Sequence, residues 1–316
     1  MQVAIVAPSS VVPPVELDRG VARLREAGLE VTVHPQCRER HFTWAGTDAQ
    51  RAGAFYEVAS DPRFQVIWCA RGGYGATRLL PMLKELESQR GVPPRKLLVG
   101  YSDITALHAF VNREWGWPTL HASMPTASYF GPHVPEWRAM LAAAVEGRPI
   151  FPSDQTTLTF MTPPPGGPIE APLIGGNLSL VAAMCGTPWF PDTRGNILFI
   201  EDVDEAWYRL DRMATQLMQA GAFEEVRAIV LGNFQGCRDD VTTGLREAGS
   251  SEQVPLREPI PEDQALAEIF GTVGERLGIP VAKGLPVGHG PDHWPIPLNA
   301  RYRVHPNGRL ELVEWK

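Results

Sequence analysis

Short apolar runs alternate with amphipathic segments along the first third of the chain, and this alternation constrains the fold most strongly. VAIVAP (3–8), LEVTVHP (29–35), QVIWCA (65–70) and KLLVG (96–100) are strand candidates, and ELDRGVARLREAGLE between the first two has helical spacing. Continuous apolar runs are typical of parallel strands that are buried on both faces. The alternation therefore predicts an open, mostly parallel α/β sheet with right-handed crossovers.

The composition changes near the middle of the chain, where Pro, Gly and Thr dominate between Phe151 and Pro172. A chain of 316 residues is long for a single core, so this change is a natural domain boundary. We predict an α/β domain over residues 1–150, a connector over 151–170 and a second domain over 171–316. The second domain is expected to end in a hairpin whose turn is Asn307-Gly308.

Charge and cysteine usage exclude several classes of protein. The net charge of -7, the pI near 5.7 and the lack of a dense Lys/Arg stripe argue against a nucleic-acid partner. No apolar run reaches the roughly 18 to 20 residues that span a bilayer, and the first residues resemble a strand more than a signal peptide. The four cysteines are scattered without CxxC spacing. These features predict a reduced, cytoplasmic protein without a membrane anchor, a metal or a cofactor.

The sharpest local feature is the bend GYSD, which follows the apolar run KLLVG and precedes a segment of helical spacing. Ser102 and Asp103 could cap the following helix by accepting hydrogen bonds from its free N–H groups. Alternatively, a tight strand-to-helix turn could hold the Ser102 hydroxyl above the sheet edge as a nucleophile. The second glycine of G-x-S-x-G is replaced by Ile104, so the general motif alone does not decide between the two.

A serine nucleophile needs a base, and the base needs an orienting acid. Glu201 ends the apolar run NILFIE, and His289 lies between two glycines in a long loop. Each also has a simpler interpretation. Glu201 could be an acid that faces solvent, and His289 could be an exposed loop residue. His293, with Asp292, could instead join His289 in a metal site. Other histidines, including His121, have no accompanying acid in the sequence.

Donors for a developing oxyanion are expected in CARGGYGA (69–76), where adjacent glycines leave backbone N–H groups accessible. We predict the Gly73 amide and the amide of Asp103, immediately after the serine, as the oxyanion site. A phosphate cradle is the competing interpretation, although the spacing lacks the Walker-A Lys-Ser/Thr pair. A tight turn without a ligand remains the simplest alternative.

Taken together, several segments resemble the LD-carboxypeptidase family of serine peptidases, which includes the microcin-immunity peptidases. They follow the family's order across nearly the whole chain, which makes the set far more specific than any single string. The matching segments are APSS, RGGYGA, VGYSDITALH, LIGGNLS, FIEDVDE with YRLDRM, VLGNFQGC, and LPVGHG with PLN. The family pattern has PLG where this chain has PLN, so the sequence departs from it at Asn299.

The resemblance implies a Ser-Glu-His triad at Ser102, Glu201 and His289, with main-chain amides of Gly73 and Asp103 at the oxyanion. It also implies a Rossmann-like N-terminal domain, a smaller β-rich C-terminal domain and a catalytic cleft between them. The nucleophile would come from the first domain, and the acid and base from the second.

The implied activity is removal of the terminal D-alanine from a murein tetrapeptide, after the L-centre of diaminopimelate, during cytoplasmic peptidoglycan recycling. Family analogy also implies a homodimer and no cofactor. Two alternatives remain open. One is a peptidase that acts on peptide-nucleotide conjugates, like the immunity branch, and the other is a non-catalytic two-domain protein that binds a small ligand.

A carboxypeptidase must recognise the free carboxylate of its substrate. Arg71 and Arg209 are candidates for that contact, and Trp207 and Trp294 are candidates for the cleft wall. Each has a structural alternative, because arginines often form surface ion pairs and aromatic residues near a domain junction are commonly core.

Overall fold

The chain forms two β-sheets, one mostly parallel and one mixed. The parallel sheet with its helices forms the first half, and the second half is rich in strands, so the predicted fold class is confirmed. The predicted connector partly lies outside the described residues, and Asp292 lies wholly outside them. The computed structural model describes residues 1–128, 130, 141, 157–239, 258–290 and 293–315.

The first sheet has the strand order of a doubly wound fold. Its strands, side by side, are β2 (Glu30–Val33), β1 (Gln2–Val6), β3 (Val66–Cys69), β4 (Leu97–Gly100), β5 (Thr119–His121) and β11 (Ile296–Leu298). All neighbours are parallel except β5 and β11. In sheets of order 2-1-3-4-5, ligands bind beyond the carboxyl ends of the strands, at the switch point between β1 and β3.

Helices cover both faces of this sheet, as the alternating side chains of β1 require. Val3 and Ile5 pack in one apolar cluster with helix α1 (Pro14–Glu26), whose Leu17, Val21 and Leu24 are buried as the spacing predicts. Ala4 and Val6 point to the opposite face, towards α2 (Asp48–Ser60) and α3 (Leu80–Arg90). Burial on both faces explains why the strands are continuously apolar.

The second sheet is parallel in its centre and antiparallel at both edges. The predicted hairpin is confirmed, since β12 and β13 pair across the turn at Asn307-Gly308. The strands, side by side, are β13 (Leu310–Glu314), β12 (Ala300–Val304), β7 (Ile169–Asn177), β8 (Ile197–Val203), β9 (Ala228–Gln235), β10 (Val281–Lys283) and β6 (Thr159–Phe160).

Between β9 and β10, residues 262–277 are helical, and a wide turn at Ala267–Gly271 divides this segment into two α-helices. Among the described helices, none has the length and apolar composition that crossing a membrane requires. The remaining helices are α4 (Thr105–Phe110), α5 (Leu178–Met184), α6 (Trp207–Gln219), α7 (Glu262–Leu266) and α8 (Thr272–Leu277). Shorter helical turns lie at Pro35–Arg38, Ala76–Leu79, Ser102–Ile104 and Val111–Trp115.

The two sheets are joined by shared packing and by the path of the chain. One buried apolar cluster includes Val99 of the first sheet and Phe199 of the second. After β10 of the second sheet, the chain returns to the first sheet as β11, and β12 follows at once in the second sheet. Asn299, between β11 and β12, has φ 56°, a left-handed conformation that Asn tolerates better than most residues. This explains how Asn can stand at the family's glycine position.

Candidate active site

The bend at Ser102 is a tight turn between β4 and the helical segment that leads into α4. Ser102 has φ 64°, a left-handed conformation that is rare for a residue with a side chain. The Ile104 N–H donates to the Tyr101 carbonyl at 3.2 Å. A Cβ at Gly100 would lie 2.9 Å from Ile104, so the turn needs glycine there. The Ser102 side chain caps neither helical turn, so the capping alternative does not account for this serine.

The glycine-rich loop after β3 lies directly against this serine. A Cβ built on Gly72 would be 3.0 Å from the Ser102 Cβ and 3.3 Å from its Oγ. Gly73 has φ 104°, and a Cβ there would overlap the Ser10 hydroxyl. In the described part of the chain, the Gly73 and Asp103 amides donate no hydrogen bond. The two predicted oxyanion donors are therefore free to bind a substrate oxygen.

The Asp103 carboxylate fixes the loops around the serine. It is fully buried and accepts hydrogen bonds from the Ser9 hydroxyl at 2.6 Å and from the Ala76 amide at 2.8 Å. Burial raises the pKa of the Asp103 carboxyl, although these hydrogen bonds oppose that rise. Arg51, also buried, donates to the Pro8 carbonyl and, at 3.0 Å, to that of Gly75. The loops after β1 and β3 are thus held to the serine turn at the switch point.

Glu201 and His289 form a pair in the second half of the chain, and the His289 side chain is only partly buried. The Glu201 side chain is fully buried at the end of β8, so the interpretation as an acid facing solvent is wrong. Its Oε2 lies 2.8 Å from Nδ1 of His289 and accepts from the His289 backbone N–H at 3.1 Å. Because Nδ1 faces the carboxylate, Nε2 is the nitrogen available to a nucleophile.

The electrostatics of the pair match its geometry. Burial alone would raise the pKa of the Glu201 carboxyl, but the charge of His289, the hydrogen bond from His289 and the proximity of His121 hold it far below its ordinary value. Burial alone would lower the pKa of His289, but the Glu201 charge and hydrogen bond raise it above 6.5. The pair therefore favours a carboxylate that stabilises an imidazolium.

The imidazole of His289 lies close to the serine turn. Its ring centroid is 4.8 Å from that of Tyr101, the residue before Ser102. The Ser102 hydroxyl forms no hydrogen bond with any residue that the structure describes. A contact between Ser102 and His289 is therefore inferred from proximity, and hydrogen bonds between catalytic groups often tighten only when substrate is bound.

The two glycines beside His289 have separate steric roles. Gly288 has φ 121°, and a Cβ there would lie 2.7 Å from Oε2 of Glu201. Gly290 has φ 155°, and a Cβ there would approach the Asn233 amide at 3.2 Å. The segment GGNLS (175–179) contacts α4, the helix that follows the Ser102 turn, because Thr105 Oγ1 accepts from the backbone N–H of Asn177 at 3.0 Å. This contact joins the two halves beside the site.

Replacing Gly288 by alanine is expected to lower kcat/KM by at least about a hundredfold, because the new methyl group would displace the Glu201 carboxylate. Gly284→Ala is the matched control, since Gly284 has φ 97° and its Cβ would meet only a carbonyl 3.8 Å away. Both variants carry left-handed strain of about 1–3 kcal/mol, measurable by thermal unfolding. Equal losses of activity in the two variants would contradict the steric argument.

The four candidate substrate contacts lie in different surroundings. Arg71 is exposed beside the glycine-rich loop and donates to the Val11 carbonyl at 2.7 Å. Arg209 is exposed on α6, 3.5 Å from Glu205. Trp207 is 5% exposed within an apolar cluster of the second domain, a position that favours the core alternative. Trp294 is partly buried against the cluster shared by both sheets.

Two histidines that the sequence left without a role lie beside the pair. Nε2 of His121 is 3.7 Å from Oε1 of Glu201, so His121, which has no accompanying acid in the sequence, has one in the structure. His293 stacks on His121 with ring centroids 5.4 Å apart. Among the described residues, no group of three or more His, Cys, Asp or Glu could hold a metal ion. His121 ends a strand beside β4, and that position was the available sequence signal.

Nearly the whole chain is similar to known proteins of one family. Residues 3–122 match the LD-carboxypeptidase N-terminal domain, and residues 170–304 match the LD-carboxypeptidase C-terminal domain. The murein tetrapeptide carboxypeptidase of Pseudomonas aeruginosa is 30% identical over 319 residues, covering 99% of this chain and 93% of that protein. The microcin C7 self-immunity protein of Escherichia coli is 24% identical over 339 residues, covering 98% and 91%.

The chain is also similar to a solved structure along its whole length. The crystal structure of muramoyltetrapeptide carboxypeptidase from Oxalobacter formigenes has a TM-score of 0.75 and 28% sequence identity. The match covers 100% of this chain and 99% of that one. The similarity therefore includes both sheets and their arrangement.

Proposed function

Because the chain belongs to the LD-carboxypeptidase family, we propose that it is a serine carboxypeptidase that releases the terminal D-alanine of a murein tetrapeptide. The observation that carries the proposal is the pairing of buried Glu201 with His289 beside the strained turn of Ser102. A serine hydroxyl, a free imidazole nitrogen and two free amides supply the nucleophile, the base and the oxyanion donors that acyl transfer needs. The two named carboxypeptidase relatives support the substrate class.

The mechanism follows from these positions. Nε2 of His289 takes the proton of Ser102 while Oγ attacks the carbonyl carbon between diaminopimelate and D-alanine. The Gly73 and Asp103 amides stabilise the oxyanion, and His289 then protonates the departing amine as the C–N bond breaks. Water, deprotonated by His289, attacks the acyl-enzyme and releases the tripeptide. Glu201 holds the Nδ1–H tautomer and stabilises the imidazolium in both halves.

The terminal carboxylate of the substrate needs a cation or an amide cluster near Ser102. Arg71 is the stronger of the two arginine candidates, because it directly precedes the glycine that packs on Ser102. Its guanidinium has donors beyond the one that bonds Val11, and guanidinium pairs well with carboxylates. Trp294, partly exposed near His293, is the remaining candidate for the cleft wall.

The test is incubation with L-Ala-γ-D-Glu-meso-diaminopimelate-D-Ala, followed by mass detection of D-alanine and tripeptide. A tetrapeptide ending in L-alanine is the matched control, since it keeps charge and size. We expect release only from the D-alanine peptide. Intact tetrapeptide after incubation with folded enzyme would reject the substrate assignment.

A second candidate is hydrolysis of peptide-nucleotide conjugates, which the similarity to the microcin C7 self-immunity protein supports. Turnover of an aminoacyl sulfamoyl adenosine faster than that of the tetrapeptide would favour it. Failure of a serine-directed fluorophosphonate to label Ser102 would instead favour the non-catalytic binding protein.

For D-alanine release, kcat/KM is expected to fall as the pH is lowered, with the midpoint of this fall above pH 6.5. Protonated His289 cannot accept the Ser102 proton, and its pKa is raised by Glu201, so more than half of the enzyme is inactive at pH 6.5. The measurement is kcat/KM between pH 5 and 9 at constant ionic strength. The pH dependence of Ser102 labelling by a fluorophosphonate is the control for substrate ionisation. A midpoint at or below 6.5 would contradict the raised pKa.

We also propose a cytoplasmic setting and a homodimer. The four cysteines are unpaired thiols, as a reducing compartment maintains, although Cys185 alone is not buried. The homodimer rests on family analogy. Sedimentation of the purified protein across a concentration series tests it.

A further inference from the structure

The Glu201 carboxylate uses only one of its two oxygens to hold His289. Oε2 receives both contacts from His289, whereas Oε1 is buried and accepts no hydrogen bond from a described residue. A buried carboxylate oxygen without a donor is costly, because the lost hydration is not replaced. A hydrogen-bond donor close to Oε1 would offset this cost, and His121 is the candidate donor within 4 Å of it.

His121 approaches this oxygen from the other sheet. Its Nε2 is 3.7 Å from Oε1, and both side chains are fully buried. His121 ends β5, where it pairs with Gly100 of β4, two residues before Ser102. Glu201 ends β8 of the second sheet. The contact therefore spans the seam between the sheets, beside the nucleophile.

The other groups around His121 cannot replace the carboxylate as a charged partner. Its ring is stacked on His293 and meets the edges of Tyr101 and Phe199. Burial lowers the pKa of His293, and it lowers the pKa of His108 to about 3, so both are neutral near pH 7. His289 faces the opposite oxygen, Oε2. Within the described residues, neither ring nitrogen of His121 has a hydrogen-bond partner.

We propose that His121 is a positioning residue of the active site, which donates its Nε2–H to Oε1 of Glu201 and thereby aligns the carboxylate with His289. A neutral imidazole is sufficient, since it has one N–H. The separation exceeds an ordinary hydrogen bond of about 2.7–3.2 Å, so the contact would shorten by less than about 1 Å. The inference rests on the proposed triad and adds a residue from the first domain that fixes the acid of the second.

The test compares His121→Phe, which removes the donor but keeps a ring, with His121→Gln, whose amide nitrogen reaches about as far as Nε2. We expect His121→Phe to lower kcat about 10- to 100-fold with KM within about threefold, and His121→Gln to recover most of the loss. In a Glu201→Gln background, His121→Phe is expected to add less than about threefold, because coupled residues are not additive.

Several outcomes would overturn the proposal. They are wild-type kcat in His121→Phe, equal losses in His121→Phe and His121→Gln at equal thermal stability, or an undiminished loss in the Glu201→Gln background. If His121→Phe does not fold, His121→Gln is compared with His121→Asn, whose shorter amide cannot reach Oε1. The Gln variant must then have the higher kcat.

A second readout separates this inference from the substrate assignment. The rate of Ser102 labelling by a fluorophosphonate depends on the triad but not on the peptide. Labelled wild type that releases no D-alanine rejects the proposed substrate, and the His121 comparison then proceeds on labelling rates. A labelling rate unchanged in His121→Phe rejects the role of His121. Absence of labelling in wild type rejects the triad and the role of His121 with it.

Discussion

Ser102→Ala is expected to lower kcat for D-alanine release by about ten thousand- to a millionfold, while KM changes little. The reason is that no other described hydroxyl occupies the left-handed turn at the end of β4, beside His289 and the free Gly73 amide. The residual rate would come from substrate binding and the oxyanion amides, which remain in place. The measurement is the steady-state rate with the tetrapeptide at saturating concentration.

Two variants complete this experiment. Ser123→Ala is the matched control, because Ser123 is 3% exposed just after β5 of the same sheet and its hydroxyl has no hydrogen-bond partner among the described residues. It should keep kcat within about threefold. Ser102→Ala combined with His289→Ala should be little slower than either single variant, since triad members act as a unit. A folded Ser102→Ala enzyme within about tenfold of wild type would reject serine catalysis.

The sequence predicts the fold well where burial is uniform. Apolar runs such as QVIWCA identify β3, and helical spacing identifies α1, because parallel strands and amphipathic helices leave distinct periodicities. The return of β11 to the first sheet has no such signature. Ile296 of β11 pairs with His121 of β5, which lies 175 residues earlier in the chain, and only the three-dimensional path reveals this pairing. Local pattern therefore predicts elements better than it predicts their long-range pairing.

The candidate site, too, can be predicted from the sequence only in part. The bend at Ser102 and the glycines around His289 are visible in sequence, because left-handed turns and close approach demand particular residues. Resemblance to the family connects them with Glu201. The surroundings are not visible, since His121 is 80 residues from Glu201 along the chain and meets it only across the seam. A histidine without a neighbouring acid in sequence can still have one in space.

Glu201→Gln is expected to lower kcat for D-alanine release by about ten thousandfold with little change in KM. A glutamine amide at this position can present its N–H to Nδ1 of His289, which then has to accept. The ring proton would move to Nε2, and the base would no longer be able to take the Ser102 proton. Loss of the buried charge also removes the stabilisation of the imidazolium.

The neighbouring carboxylate provides the control for this variant. Asp202 is also buried, but its carboxylate is held by other donors, the Asn177 side chain at 3.0 Å and the Ser179 hydroxyl at 2.8 Å. Asp202→Asn applies the same chemical change one residue further along β8 and should lower thermal stability while kcat stays within about tenfold. If both variants lost activity equally, the effect would come from disturbing β8, and Glu201 would have no separate part in orienting the base.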